Sequence, residues 1–151
     1  MASKLGNLAK NIASAKKFIA DIPKMKDFNR VAGECRILSV EEGRVRVELD
    51  VNEDQVNSEG TLHGGCTSTL ADVFTTVALI ATPRGARGAT VDLHVSCTAA
   101  AKLGETIVID STVVKTGRSM AFTRAEFYRK SDNKPVALCL HTKAFAPEKL
   151  E

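Results

Sequence analysis

Residues 57–81 decide the fold. Asn57-Ser58-Glu59-Gly60-Thr61-Leu62-His63-Gly64-Gly65 is a polar, glycine-rich loop, and it runs directly into CTSTLADVFTTVALIA over Cys66–Ala81. The only charge in those sixteen residues is Asp72. Thr and Val suit a strand, but strands rarely exceed about ten residues, so the length favours a helix. At 1.5 Å per residue the helix would be about 24 Å long, too short to cross a membrane. A helix apolar on nearly every side must be enclosed by the rest of the chain. Thr82-Pro83-Arg84-Gly85 stops it.

Around this helix the pattern has period two. Val45, Val47, Leu49 and Val51 alternate with Arg44, Arg46, Glu48 and Asp50, and Glu41-Glu42-Gly43 turns into them from a strand near Glu34 to Val40. After the helix, Val91, Leu93, Val95 and Cys97 alternate with Thr90, Asp92, His94 and Ser96. Strands over Ile107–Thr116, Met120–Lys130 and Val136–Phe145 follow, separated by turns at Lys102-Leu103-Gly104-Glu105, Gly117-Arg118 and 131–135. Links this short make consecutive strands antiparallel neighbours. The expected fold class is α+β: an antiparallel six-stranded sheet wrapped around a long central helix, with a helix at the N-terminus. Two such sheets could pair edge to edge.

The N-terminal segment Met1–Ala20 carries Lys4, Lys10, Lys16 and Lys17 and no acid, as mitochondrial presequences do, but it has no Arg. Leu5, Leu8, Ile12 and Ile19 share one helical stripe. The expectation is a helix lying on the domain and ending near Asp21-Ile22-Pro23, in a chain that is cytoplasmic, with mitochondrial association an alternative. The division expected is 1–30 for this helix and its connector, 31–147 for the main domain and 148–151 for a tail.

The chain has 151 residues, 44% of them hydrophobic and 26% charged, which suits one soluble domain. A net charge of +3 is too small for a nucleic-acid footprint, and seven aromatics without Trp give little stacking surface. Cys35, Cys66, Cys97 and Cys139 are far apart and contain no C-x-x-C pair, so metal ligation is not expected and reduced, packed thiols are. There is no G-x-S-x-G elbow, Walker loop or dinucleotide fingerprint.

The candidate chemistry lies between Asn57 and Asp72. A Gly64-Gly65 pair at a helix start lets a ligand approach the unpaired first-turn amides, where the helix dipole favours an oxyanion; alone it is equally a tight turn. Asp72 lies seven residues after Gly65, about two turns on and on the same face. A buried carboxylate there would have a raised pKa and could act as a base, or it could be a structural Asp held by Ser68 or Thr76. His63, His141 and the Asp92/His94 pair are unspecific by themselves.

Asn57-x-x-Gly60-x-x-His63-Gly64-Gly65 followed by Asp72 resembles the motif of hotdog-fold acyl-CoA thioesterases, which include bacterial phenylacetic-acid-pathway and animal members. The animal group is similar also at Ala101-Lys102-Leu103-Gly104-Glu105, Ala121-Phe122-Thr123 and His141-Thr142-Lys143. The likeness runs from about Phe28 to Lys143.

The resemblance implies hydrolysis of fatty acyl-CoA, of medium to long chain, without a further cofactor. It implies that the Gly64 amide and Asn57 polarise the thioester carbonyl and that Asp72 activates water or acts as the nucleophile. Thr90, where many relatives have Ser, would orient carboxylate or water, and His63 would position the loop or meet the departing sulfur. The site would lie between two protomers, in a homodimer that pairs again into a tetramer. The positions matching coenzyme A contacts are Cys97, Thr98, Ala99, Ala100, Ala101 and Lys102, then Lys115, Thr116, Gly117, Arg118, Ser119 and Met120, and Lys143. Two alternatives are a hotdog dehydratase or hydratase pairing His63 with Asp72, and a non-catalytic acyl-CoA-binding protein.

Overall fold

The computed structural model describes residues 2–147, with side chains from residue 5; the expected tail at 148–151 lies outside them. Helix α1 spans Ala2–Asp21, and two short 3-10 turns lead to strands β1 (Arg36–Glu41) and β2 (Arg44–Asp50). Helix α2 spans Gly64–Ile80, and β3 (Ala89–Cys97), β4 (Thr106–Thr116), β5 (Met120–Arg129) and β6 (Lys134–Ala144) complete the chain. The six strands form one antiparallel sheet in the order β1-β2-β4-β5-β6-β3, with α2 against one face. This is the hotdog arrangement.

One expected neighbour pair is absent. β3 and β4 are consecutive in the chain but do not pair; β3 lies at the far edge, against β6. Residues 98–105 cross the ends of β6 and β5 instead. Three inter-strand steps are about 14 Å, well within the reach of eight extended residues. The crossing segment is pinned at both ends of its path, by Thr98 N–H to the Val136 carbonyl at 2.8 Å and by Val51 N–H to the Glu105 carbonyl at 2.9 Å, and midway by Leu62 N–H to the Ala101 carbonyl at 2.7 Å.

The core forms where the inner sheet face meets α2. Leu70, Phe74, Val77 and Ala78 of α2 are fully buried against Val47, Leu49, Ile107, Ile109 and Phe127. Ala15, Ile19 and Ile22 join the same core from the N-terminal segment, whereas Leu5 at the start of the expected stripe is exposed. Cys66 and Cys139 pack as expected, and burial pushes their thiols up to about 11 and about 12. Cys97, at the end of the edge strand, is exposed.

The helix is not enclosed on every side. Ser68, Thr69, Asp72 and Thr76 are only partly covered, and Gly65 is exposed. At spacings of three and four these residues make one polar stripe along α2, open in the single chain. No helix of the described residues is long and apolar enough to cross a membrane.

Candidate active site

Asn57 builds the loop that leads into α2. Its Oδ1 accepts from the amides of Glu59 and Thr61 at 3.0 and 3.1 Å, and its Nδ2 donates to Thr61 Oγ1 at 3.0 Å. Gly60 closes the same turn with a φ of 71°, a left-handed conformation that costs glycine little. An isolated bridge between Thr61 and Lys102 then ties the loop to the crossing segment.

His63 caps the helix. Its Nδ1 accepts from the Gly65 amide at 2.8 Å, so a neutral ring carries its proton on Nε2. None of the described hydrogen bonds engages the Gly64 amide. A Cβ at Gly64 would meet nothing within 4 Å, and the backbone there is not left-handed. Neither conformation nor packing within this chain therefore demands glycine at 64, which is exposed at the positive end of the helix.

Asp72 stands further along the same helix. Eight residues separate it from Gly64, about 12 Å at the helical rise, so the amide and the carboxylate of one chain cannot act on the same carbonyl. Its side chain is 46% exposed, not buried as expected from the apolar sequence around it. The structural alternative has little support. Ser68 donates to the Gly64 carbonyl, and Thr76 Oγ1 lies 3.5 Å from Asp72 Oδ1, the outer limit of a hydrogen bond.

Two residues of β6 reach Asp72 from beneath. His141 Nε2 lies 3.8 Å and Lys143 Nζ 3.9 Å from Asp72 Oδ1. His141 is fully buried and bonded at both nitrogens, with Thr75 Oγ1 at 2.7 Å from Nδ1 and Thr90 Oγ1 at 2.9 Å from Nε2. Thr75 already donates to the Ala71 carbonyl at 2.7 Å, so it accepts from Nδ1–H. Nε2 is then the acceptor, and the Thr90 hydroxyl donates to it. Burial holds His141 below its ordinary pKa, against the opposing pull of Asp72, which keeps the ring neutral.

Thr90 reaches this place through an irregularity. Strict alternation would put it on the same face as Asp92, away from the helix. A register shift between Thr90 and Asp92 takes up Val91 as an extra residue and turns Thr90 to the inner face, opposite Lys143. Sequence reading left His141 unspecific, and the signal that could have singled it out is an inward-facing His among Ala137, Cys139 and Lys143.

The expected coenzyme A positions fall into separate groups. Cys97 to Lys102 lie at the end of the sheet that carries the Asn57 loop, with Ala101 buried. Lys115 to Met120 form the turn at the other end of β4, about 34 Å away along its eleven residues. There the Phe145 amide bonds the Ser119 carbonyl, and Arg84 donates to the carbonyls of Gly117 and Arg118. Lys143, expected to contact coenzyme A, is only 3% exposed and points inward. Within one chain, then, Asn57, His63, Gly64 and Lys102 gather at one end, and Asp72, Thr90, His141 and Lys143 gather toward the other. No His, Cys, Asp and Glu cluster among the described residues could hold a metal.

Comparison with known proteins places this geometry in a family. The thioesterase superfamily model matches residues 59–136. Acyl-coenzyme A thioesterase 13 of Homo sapiens is 42% identical over 130 residues, spanning 86% of this chain and 93% of that protein. Among solved structures, thioesterase superfamily member 2 of zebra fish superposes with a TM-score of 0.85 at 36% identity, covering 89% of this chain and 98% of that one. The smu.793 protein of Streptococcus mutans UA159, solved bound to acetyl CoA, superposes at 0.71 with 25% identity, over 83% of this chain and 97% of its own. On this match and this identity, the chain belongs to the thioesterase superfamily.

Proposed function

We propose that the protein hydrolyses fatty acyl-CoA, of medium to long chain, to the free acid and coenzyme A, at sites each assembled from two chains. The observation that carries this reading is the pairing of an open helix-start amide at Gly64 with a carboxylate about 12 Å along the same helix. Each is incomplete alone, and a second chain running the opposite way would supply the missing half. The exposed β3 edge and the uncovered polar stripe of α2 support such a pairing. Phe122, Leu138 and Leu140, exposed on the outer sheet face, offer a surface for a second pair.

In this reading the thioester oxygen sits on the Gly64 amide of one chain, aided by the free N–H of Asn57 Nδ2 and by the helix dipole. Asp72 of the other chain takes a proton as water adds to the thioester carbon. The Thr90 hydroxyl, whose own proton is directed at His141, accepts from that water and aims it. The tetrahedral oxyanion collapses, the carbon–sulfur bond breaks, and the proton held by Asp72 passes to the departing thiolate. His63 fixes the loop by binding the Gly65 amide. Coenzyme A runs along the crossing segment near Lys102, with Lys115 and Arg118 reaching it from the other chain.

The test is thiol release from short, aromatic, medium and long acyl-CoAs by the purified protein and by Asp72→Asn. Release that vanishes in the variant, while the fold and acyl-CoA binding persist, is the expected result. Full activity in Asp72→Asn would remove the carboxylate from the mechanism, and binding without release from any substrate would favour the non-catalytic acyl-CoA-binding alternative.

A further inference from the structure

A charged side chain lies directly beneath Asp72. Lys143 projects from the inner face of β6 into the gap under α2, where it is 3% exposed, and its Nζ donates to Thr76 Oγ1. The same Nζ is 3.9 Å from Asp72 Oδ1. Cys139 and Ala137, its predecessors on that face, are small and apolar. A methionine would fill the same length without the cost of taking an ammonium out of water, so packing alone does not account for a lysine here.

The surroundings leave Asp72 as its main counter-charge. His141, also on β6, is neutral through burial. On β3, Thr90 is uncharged and Asp92 faces outward, opposite Thr142. Arg87, before β3, is a second cation that opposes the charge on Lys143. Burial draws Lys143 below the ordinary lysine pKa, and Asp72 pulls it back up. The Thr76 bond fixes where the ammonium sits.

We propose that Lys143 is a positioning residue for the reaction: with its own ammonium fixed by Thr76, it holds Asp72 in place from the buried side through its charge, and it does not contact coenzyme A. The proposal rests on the role of Asp72 as base given above.

The experiment is kcat and KM for the full protein, for Lys143→Met and for Lys143→Gln, which keeps a donor for Thr76 without the charge. Losing the hold on the base acts on the chemical step, so kcat is expected to fall by about tenfold or more in Lys143→Met while KM for acyl-CoA barely moves. Lys143→Gln is expected to lose as much, and it serves alone if Lys143→Met does not fold. A folded variant with the parent kcat would overturn the proposal. A raised KM for acyl-CoA with kcat unchanged would also overturn it and return Lys143 to coenzyme A binding.

The Asp72→Asn background separates this proposal from the reading beneath it, because there Lys143→Met is expected to bring no further loss of residual turnover. If Asp72→Asn stays active, the base role fails and the hold on Asp72 has no step to serve. If Asp72→Asn is dead and Lys143→Met keeps the parent kcat, the Lys143 proposal alone falls.

Discussion

Thr90 and Thr75 are joined through one ring: His141 accepts from the first at 2.9 Å and donates to the second at 2.7 Å. The sheet edge that carries Thr90 is thereby tied to the helix that carries Asp72. Thr90→Val removes the donor and leaves the buried Nε2 unsatisfied, which costs about 1–3 kcal/mol of stability. Turnover is expected to fall by about tenfold or more, and Thr90→Ser, which keeps the hydroxyl, should retain most of both. Denaturant midpoints and steady-state kinetics check this, and equal activity in the Val variant would release Thr90 from its role.

His141 also sets an acid limit on stability. Its folded pKa lies below the ordinary value of about 6.5, so on acidification the unfolded chain takes up the proton first. The sign follows: above about pH 7 the group is neutral in both states and contributes no pH dependence, and stability falls as the pH drops below about 6.5. Melting curves between pH 8 and 5 are expected to show that decline, and His141→Gln to show a shallower one. An unchanged slope would mean that the decline comes from other groups.

Gly64 separates function from folding. Its Cβ position is empty to 4 Å within the chain and its backbone is not left-handed, so Gly64→Ala is expected to fold with a stability change within about 1 kcal/mol. The added methyl would occupy the approach to the amide. Turnover should fall by about tenfold or more while the melting temperature barely moves. Unchanged turnover in this variant would put the carbonyl elsewhere.

Much of the fold was legible in the sequence because period-two strands and one long apolar run admit few arrangements. Strand order was not. Nothing in the short link at 102–105 distinguishes a hairpin from a crossing segment, and the choice is made by non-local bonds such as that from Leu62 to Ala101. The bulge that takes up Val91 was equally hidden, because a register shift leaves no mark on an alternating pattern, yet it alone brings Thr90 to the inner face. Asp72 stood out as the single charge of its helix, but its exposure was misread. Sequence neighbours are apolar, and the open side is set by the tertiary packing that leaves Ser68, Thr69 and Thr76 uncovered with it. His141 and Lys143 gained meaning only when the sheet placed them under Asp72.

The shared site is the centre of the account, and subunit complementation tests it most directly. Asn57→Asp keeps the acceptor for the Glu59 and Thr61 amides but loses the Nδ2 donor, and loss of one oxyanion donor typically costs about 10²–10³ in turnover. Asp72→Asn removes the base. When the two nearly inactive chains are co-expressed with different tags, half of randomly formed dimers are mixed, and each mixed dimer holds one intact site of two. The account predicts recovery of about a quarter of wild-type turnover, concentrated in the doubly tagged fraction. A doubly tagged dimer as inactive as its parents would place both groups in one chain and contradict the account.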